Sequence, residues 1–151
     1  MQEIEFRETK NIDFVSLQEL FRSEQWSDYM ELDDVEFYIN ASPHVVTAWD
    51  GDKIVGFGRL EGDGRISLEI SDVLVRSDYQ DKGIGTEIVR RLVQKCREMD
   101  PYYIQVSPVG DKAAHIYEKL GFTDIPDYRQ LELITGKLGR KTAQVRGKKP
   151  A

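Results

Sequence analysis

Between Tyr79 and Ile88 the chain reads Tyr-Gln-Asp-Lys-Gly-Ile-Gly-Thr-Glu-Ile. Gly83 and Gly85 fall where an apolar, strand-like run gives way to a helical pattern. Glycines at such a junction let the backbone approach an anion at a helix N-terminus. This order exposes main-chain N–H groups from about Asp81 to Thr86 at the positive end of a macrodipole. Thr86 adds a hydroxyl donor and Lys82 a point charge, whereas Asp81 is a poor neighbour for phosphate and should point to solvent. A Walker loop needs Lys-Ser/Thr after its second glycine, and Lys82 precedes both glycines here. A dinucleotide fingerprint needs a third glycine or alanine where Ile88 stands, after a βαβ unit rather than a hairpin. Both patterns fail. What survives is strand, Gln80-x-x-Gly83-x-Gly85, helix, with a helix start that binds nothing as the bland alternative.

Other reactive side chains are placed less suggestively. His44 and His115 are isolated and lack metal-ligand spacing to Cys96 or a carboxylate pair, so no metal site is expected. Cys96 lies on the apolar stripe of its helix and reads as a core residue rather than a nucleophile. Tyr117 shares a helical face with Ala113, Ile116 and Leu120, which buries it. Taken alone it reads as a core tyrosine with a hydrogen-bonded hydroxyl.

The elements that must position these residues can be traced along the chain. Gln2–Glu8 alternates as a first strand, and Asp13–Ser23 and Leu32–Asn40 carry helical apolar spacing. Val45–Trp49 and Lys53–Leu60 flank Asp50-Gly51-Asp52, a strong hairpin signal. A second turn, Glu61–Gly64, leads to a long strand, Arg65–Val75. After the glycine loop come a helix, Gly83–Met99, a strand, Tyr102–Val106, and a helix, Lys112–Leu120, closed by Gly121. Tyr128–Ile134 is expected to be a last strand. A hairpin-linked set of strands followed by alternation argues for a mixed α/β sheet in one domain, residues 1–135.

Composition bounds the function. The chain has 151 residues, the size of one domain, with 40% apolar and 32% charged residues. No apolar run approaches the ~20 residues of a spanning helix, so no membrane partner is expected. The N-terminus lacks a secretory layout and the single cysteine excludes an internal disulfide, which together suit the cytoplasm. Residues 1–135 hold all 27 acidic and 15 of the 21 basic side chains, a net of −12. An acidic body disfavours nucleic acid and attracts cationic ligands. Residues 136–151 hold six basic and no acidic residues and read as a solvated, partly disordered tail.

The run Asp72-Val-Leu-Val75, then Gln80-Asp-Lys-Gly-Ile-Gly85 and an amphipathic helix, resembles the acetyl-coenzyme A motif of the GNAT superfamily of N-acetyltransferases. Ala113-Ala-His-Ile-Tyr117-Glu-Lys-Leu-Gly-Phe122, some 30 residues on, resembles that family's second motif. The proline common before the loop is Ser77 here, and Gly110 stands where many relatives carry asparagine. A narrower likeness to the serotonin-N-acetyltransferase-like group rests on Leu20–Ser27, Asn40-Ala-Ser42 and Val55-Gly-Phe-Gly-Arg59 with Asp63-Gly64. The resemblance implies a mostly antiparallel sheet of six to seven strands, splayed between strands 4 and 5 and flanked by about four helices.

It also implies a reaction: direct transfer of acetyl from acetyl-coenzyme A to a primary amine. The pantetheine arm would lie along Val73, Leu74 and Val75, and the pyrophosphate would take the amides of Gln80, Asp81, Lys82, Gly83, Ile84, Gly85 and Thr86. Tyr117 becomes the candidate acid for the leaving thiolate, close to the coenzyme. Asp72 and Glu69 are candidate bases; three residues apart, they lie on opposite faces of a regular strand. Asp72 is favoured by the narrower likeness. The expected acceptor is a small or arylalkyl amine, with a protein N-terminus or lysine, or a non-catalytic acyl-coenzyme A-binding module, as alternatives. A second copy of the chain is a further candidate partner.

Overall fold

Asp50, Gly51 (φ 60°) and Asp52 fold the chain back on itself, so that β2 (His44–Asp50) pairs antiparallel with β3 (Lys53–Glu61). A computed structural model of the chain describes residues 3–140, and this hairpin is the centre of its sheet. β1 (Glu5–Arg7) adds on one side and β4 (Ser67–Val75) on the other, both antiparallel. β5 (Tyr103–Val106) completes the order β1-β2-β3-β4-β5 and runs parallel to β4. Parallel neighbours need a crossover, here a 3₁₀ turn (Ser77–Tyr79) and the helix Ile84–Met99.

The chain divides into two units, one of residues 1–26 and 30–107, the other of residues 27–29 and those from 108 on. In the first, α1 (Phe14–Ser23) and α2 (Leu32–Ala41) precede the hairpin, and α3 is Ile84–Met99. Asp13 caps α1, its side chain accepting from the Val15 amide at 3.1 Å. α3 buries Ile84, Ile88, Val89, Leu92, Val93 and Cys96, the stripe its sequence spacing predicts, against β2, β3 and β4. Each such side chain contributes roughly 1.5–3 kcal/mol on burial. The helix lies close because two strand residues have no side chain. A Cβ on Gly56 would come within 2.9 Å of Ile88, and one on Gly58 within 2.8 Å of Ile88 and 2.9 Å of Leu92.

The opposite face of β3 carries Phe57, edge-on to Phe21 of α1 with ring centroids 5.5 Å apart, and Tyr38 of α2 at 6.0 Å. Phe21 also meets Trp26 at 4.9 Å. Aromatic packing therefore welds the α1–α2 pair to the sheet.

The second unit contains α4 (Gly110–Lys119), which ends on Gly121 at φ 97°. The Gly121 and Phe122 amides bond to the Glu118 and Tyr117 carbonyls at 3.0 and 3.2 Å, the C-terminal closure that this glycine predicts.

Two expectations need correction. The sheet has five strands among the described residues, not six or seven. The missing strand is Tyr128–Ile134, which carries no regular structure. Alternation makes a strand only where a ladder and a packed face receive it. Here Leu131 and Leu133 are 82% and 88% exposed. The strand β4 also begins at Ser67 rather than Arg65, because Asp63 Oδ1 takes the Arg65 and Ile66 amides at 2.7 and 2.6 Å. The basic tail lies outside the described residues from 141 on; residues 136–140 form a helical stretch. Among the described residues no helix is long and apolar enough to cross a membrane.

Candidate active site

β4 is irregular at one point, and the candidate chemistry gathers there. Leu74 pairs with Phe57 and Ser71 with Arg59, so Asp72 and Val73 together face the single residue Gly58. This is a β-bulge. Asp72 holds it in the left-handed region at φ 61°, a conformation that Asp tolerates better than most residues. Val73 turns toward α3, since a Cβ on Gly58 would stand 3.4 Å from its Cγ2. Asp72 turns the other way, toward α2.

There Asp72 Oδ2 accepts from Arg59 Nε at 2.8 Å and from the Tyr38 hydroxyl at 2.5 Å. Arg59 spends the rest of its fork nearby. One terminal nitrogen meets Glu61 Oε1 at 2.8 Å, the other reaches the Ser42 hydroxyl at 3.3 Å, and the guanidinium lies 4.1 Å over the Tyr38 ring. Burial, then the Asp72 charge, pushes the Tyr38 hydroxyl well above the usual tyrosine range, so it stays a donor. Ser71 donates its hydroxyl to Glu61.

Glu69 stands directly opposite Glu61 on the β3–β4 ladder and shares this face. A regular strand would have put Glu69 and Asp72 on opposite faces; the extra residue in the bulge brings them together. Arg59 is already committed to Asp72 and Glu61, and the Glu69 side chain has no hydrogen bond or ion pair among the described residues. Desolvation, then the Glu61 and Asp72 charges, hold its carboxyl above the ordinary glutamate range against the pull of Arg59. The face thus presents three carboxylates to one guanidinium.

β4 also has a bare edge. Its ladder to β5 runs from Ser67 to Ile70, and Ser71–Val75 continue with no strand on that side among the described residues. Beyond Val75 the chain is pinned at several points. The Arg76 amide bonds to Val55 O at 2.8 Å, the Tyr79 hydroxyl to Asp50 at 2.5 Å, and Gln80 Nε2 to Val75 O at 3.1 Å. Asp81 (φ 62°) and Gly83 (φ 82°) then turn the backbone left-handed, and Gly83 leads α3 with no side-chain cap. The Glu87 amide bonds to Gly83 O at 3.1 Å, which leaves the amides of Ile84, Gly85 and Thr86 at the open end of the helix. A Cβ on Gly83 would meet nothing within 4 Å, and one on Gly85 only Val75, at 3.5 Å. The space above the turn is open, as a phosphate cradle requires. Glu87 does not oppose an anion there. Hydrogen bonds from Arg90 and Arg91 hold its carboxyl down at about 2, so its charge is matched by two cations.

A bare strand edge leading into an uncapped, glycine-lined helix start is the layout implied above for a coenzyme A donor. Residues 11–122 match the model of the acetyltransferase (GNAT) family. The chain belongs to that family. It is 29% identical over 133 residues to an uncharacterised N-acetyltransferase, ycf52, of Pyropia yezoensis, covering 82% of this chain and 75% of that one. A GNAT-family acetyltransferase of Streptococcus pneumoniae has the same fold, with a TM-score of 0.74 at 24% identity, over 89% of this chain and 99% of that one. An acetyltransferase of Clostridium acetobutylicum, solved with acetyl-CoA, superposes with a TM-score of 0.64 at 18% identity, over 86% and 96% of the two chains. The protein is an acetyl-CoA-dependent N-acetyltransferase. The likenesses carry the family and not the narrower serotonin-type group.

In this acetyltransferase the first unit brings Glu69, Asp72, Val73–Val75 and Gln80–Thr86 onto one strand and the loop that follows it. Tyr117 belongs to the second unit, where it is 5% exposed and meets the Phe122 ring at 5.6 Å. Burial pushes its hydroxyl up to about 12. Cys96 is buried in the core, its thiol pushed up to about 11 by desolvation, as its place on the α3 stripe suggests. His44 pairs with Glu8 at 2.9 Å and His115 is exposed beside Glu118. Sequence reasoning missed the partners that hold Asp72. The available signal was Arg59, a charge between Gly58 and Leu60 in a buried strand, which requires a counter-charge on the same face.

Proposed function

We propose that the acetyltransferase acetylates a small primary amine, of the arylalkyl class, with Glu69 as the base that takes the proton of the amine. The observation that carries this reading is the half-buried Glu69 carboxylate, left without an ion pair among the described residues on a face where Arg59 bonds to its neighbours. A carboxyl held above its ordinary range is better matched to proton transfer near neutral pH than one locked in an ion pair. Asp72, bonded twice through Oδ2, then acts by holding the bulge. The excess of carboxylates supports a cationic acceptor, and the likeness to the serotonin-type group supports an aromatic one.

The amine nitrogen attacks the thioester carbon, its proton passes to Glu69 Oε, and the C–S pair leaves as thiolate. Main-chain groups along Val73–Val75 would hold the pantetheine arm, and the Gln80–Thr86 amides the pyrophosphate. The Tyr117 hydroxyl, at about 12, is a weaker acid than a thiol of about 8.5. The part proposed for it from the family motif is therefore that of a hydrogen-bond donor to the thiolate rather than of a full proton donor.

Release of coenzyme A thiol from acetyl-CoA, measured across arylalkyl amines, polyamines, amino acids and peptides, tests the acceptor class. Turnover is expected with small amines and strongest with aryl-bearing ones. Turnover with peptides alone would overturn the assignment in favour of a protein acceptor, and coenzyme binding with no turnover would favour a binding module.

A further inference from the structure

Glu24 closes α1 as its C-cap, yet its carboxylate points across 53 residues of sequence to the start of the donor loop. Glu24 Oε1 accepts from the Ser77 amide at 3.0 Å and from the Ser77 hydroxyl at 2.5 Å. Ser77 opens the 3₁₀ turn, three residues before Gln80 and six before Gly83. An amide at the start of such a turn has no partner within it, and a carboxylate that accepts it makes a charge-assisted bond.

The slot has a second property. Arg76 is extended at φ −52°, ψ 140°, the conformation a proline imposes on its predecessor. Ser77 occupies the first helical position, where proline is best tolerated. The backbone is thus shaped for a ring that would fix it covalently, and the chain has a serine there instead. Three further ties of this segment run to the strands, through Val55, Asp50 and Val75. Glu24 ties it to α1, and the residue after Glu24, Gln25, turns left-handed at φ 52° as the chain leaves the helix.

We propose that Glu24 is a positioning residue for the acetyl donor: through Ser77 it fixes the start of the coenzyme loop, in place of the rigid residue this slot would accept. The proposal rests on the reading of Gln80–Thr86 as the pyrophosphate site. It follows that helix α1 and the donor loop are joined through the Glu24 carboxylate.

Direct titration of the full-length protein with acetyl-CoA, alongside steady-state kinetics, tests this. Glu24→Ala is expected to weaken acetyl-CoA binding about fivefold, the scale of one net hydrogen bond, and to raise its KM to match with kcat nearly unchanged. Ser77→Pro added to Glu24→Ala should restore the affinity, because the ring supplies the constraint and the Ser77 amide no longer has an acceptor to lose. A general structural role would instead lower kcat and melting temperature together and would not be rescued at position 77. Equal affinity of wild type and Glu24→Ala overturns the proposal, as does a loss that Ser77→Pro leaves in place. Wild type that fails to bind acetyl-CoA would overturn the loop assignment itself.

Discussion

Glu69 and Asp72 are both strand carboxylates three residues apart, and the difference between them lies in their neighbours. Asp72 has Arg59 and Tyr38; Glu69 has Glu61 across the ladder and Asp72 beside it. Both residues could be singled out from sequence, through the family resemblance and their places on the Arg65–Val75 run. The division of labour proposed for them could not, since it rests on an Arg59 fork whose bonds reach Asp72 in β4, Glu61 in β3 and Ser42 just past α2. The burial of Tyr117 was legible too, through its helical face and the Gly121-Phe122 closure, whereas a part in the reaction came from the family motif alone. At this scale the Tyr117 account makes a prediction. Tyr117→Phe keeps the packing against Phe122 and should lower kcat by about tenfold or more, with acetyl-CoA affinity nearly unchanged. An unchanged kcat in stopped-assay thiol release would remove the hydroxyl from the reaction.

At the level of elements, the apolar periodicities of α1, α2 and α3 and the Asp50-Gly51-Asp52 turn placed most of the first unit within a residue or two. The bulge in β4 was invisible, because nothing in Ser71-Asp72-Val73 marks an extra residue until its partner strand is paired with it. Tyr128–Ile134 misled for the opposite reason: its alternation is real, but no ladder takes it up. The two strand glycines were read only as part of a motif, while their role is steric. Gly58→Ala would press a methyl within 2.8 Å of Ile88 and 2.9 Å of Leu92. Overpacking of that kind costs about 1–3 kcal/mol, visible as a lower urea midpoint at unchanged slope. Pushing α3 outward also moves the loop that precedes it, so the acetyl-CoA KM should rise with the loss of stability. A fully stable Gly58→Ala protein would show that the helix does not depend on this close approach.

For the whole molecule, the family was legible from two motifs in the right order, whereas the acceptor was not, because no motif encodes it. What the fold adds is a face with three carboxylates and one guanidinium, in a chain whose net charge is −6. On the proposed reading such a face favours a cationic acceptor and leaves one carboxylate to accept its proton. The pH dependence follows in sign. Glu69 as the proposed base acts only when ionised, so kcat/KM should rise as pH passes upward through a midpoint above the ordinary ~4.3 of glutamate. The Asp72 charge helps raise that midpoint, so removing it should lower the midpoint without abolishing the limb.

The decisive measurement is therefore the pH profile of kcat/KM for wild type, Glu69→Gln and Asp72→Asn, with a weakly basic amine whose own ionisation lies outside the range. Asn suits the left-handed backbone at position 72 and can still accept from Arg59, so the bulge should persist in Asp72→Asn. The account predicts that Glu69→Gln loses the acidic limb and that Asp72→Asn keeps it, displaced to lower pH. An acidic limb that survives in Glu69→Gln and vanishes in Asp72→Asn would contradict it and make Asp72 the base.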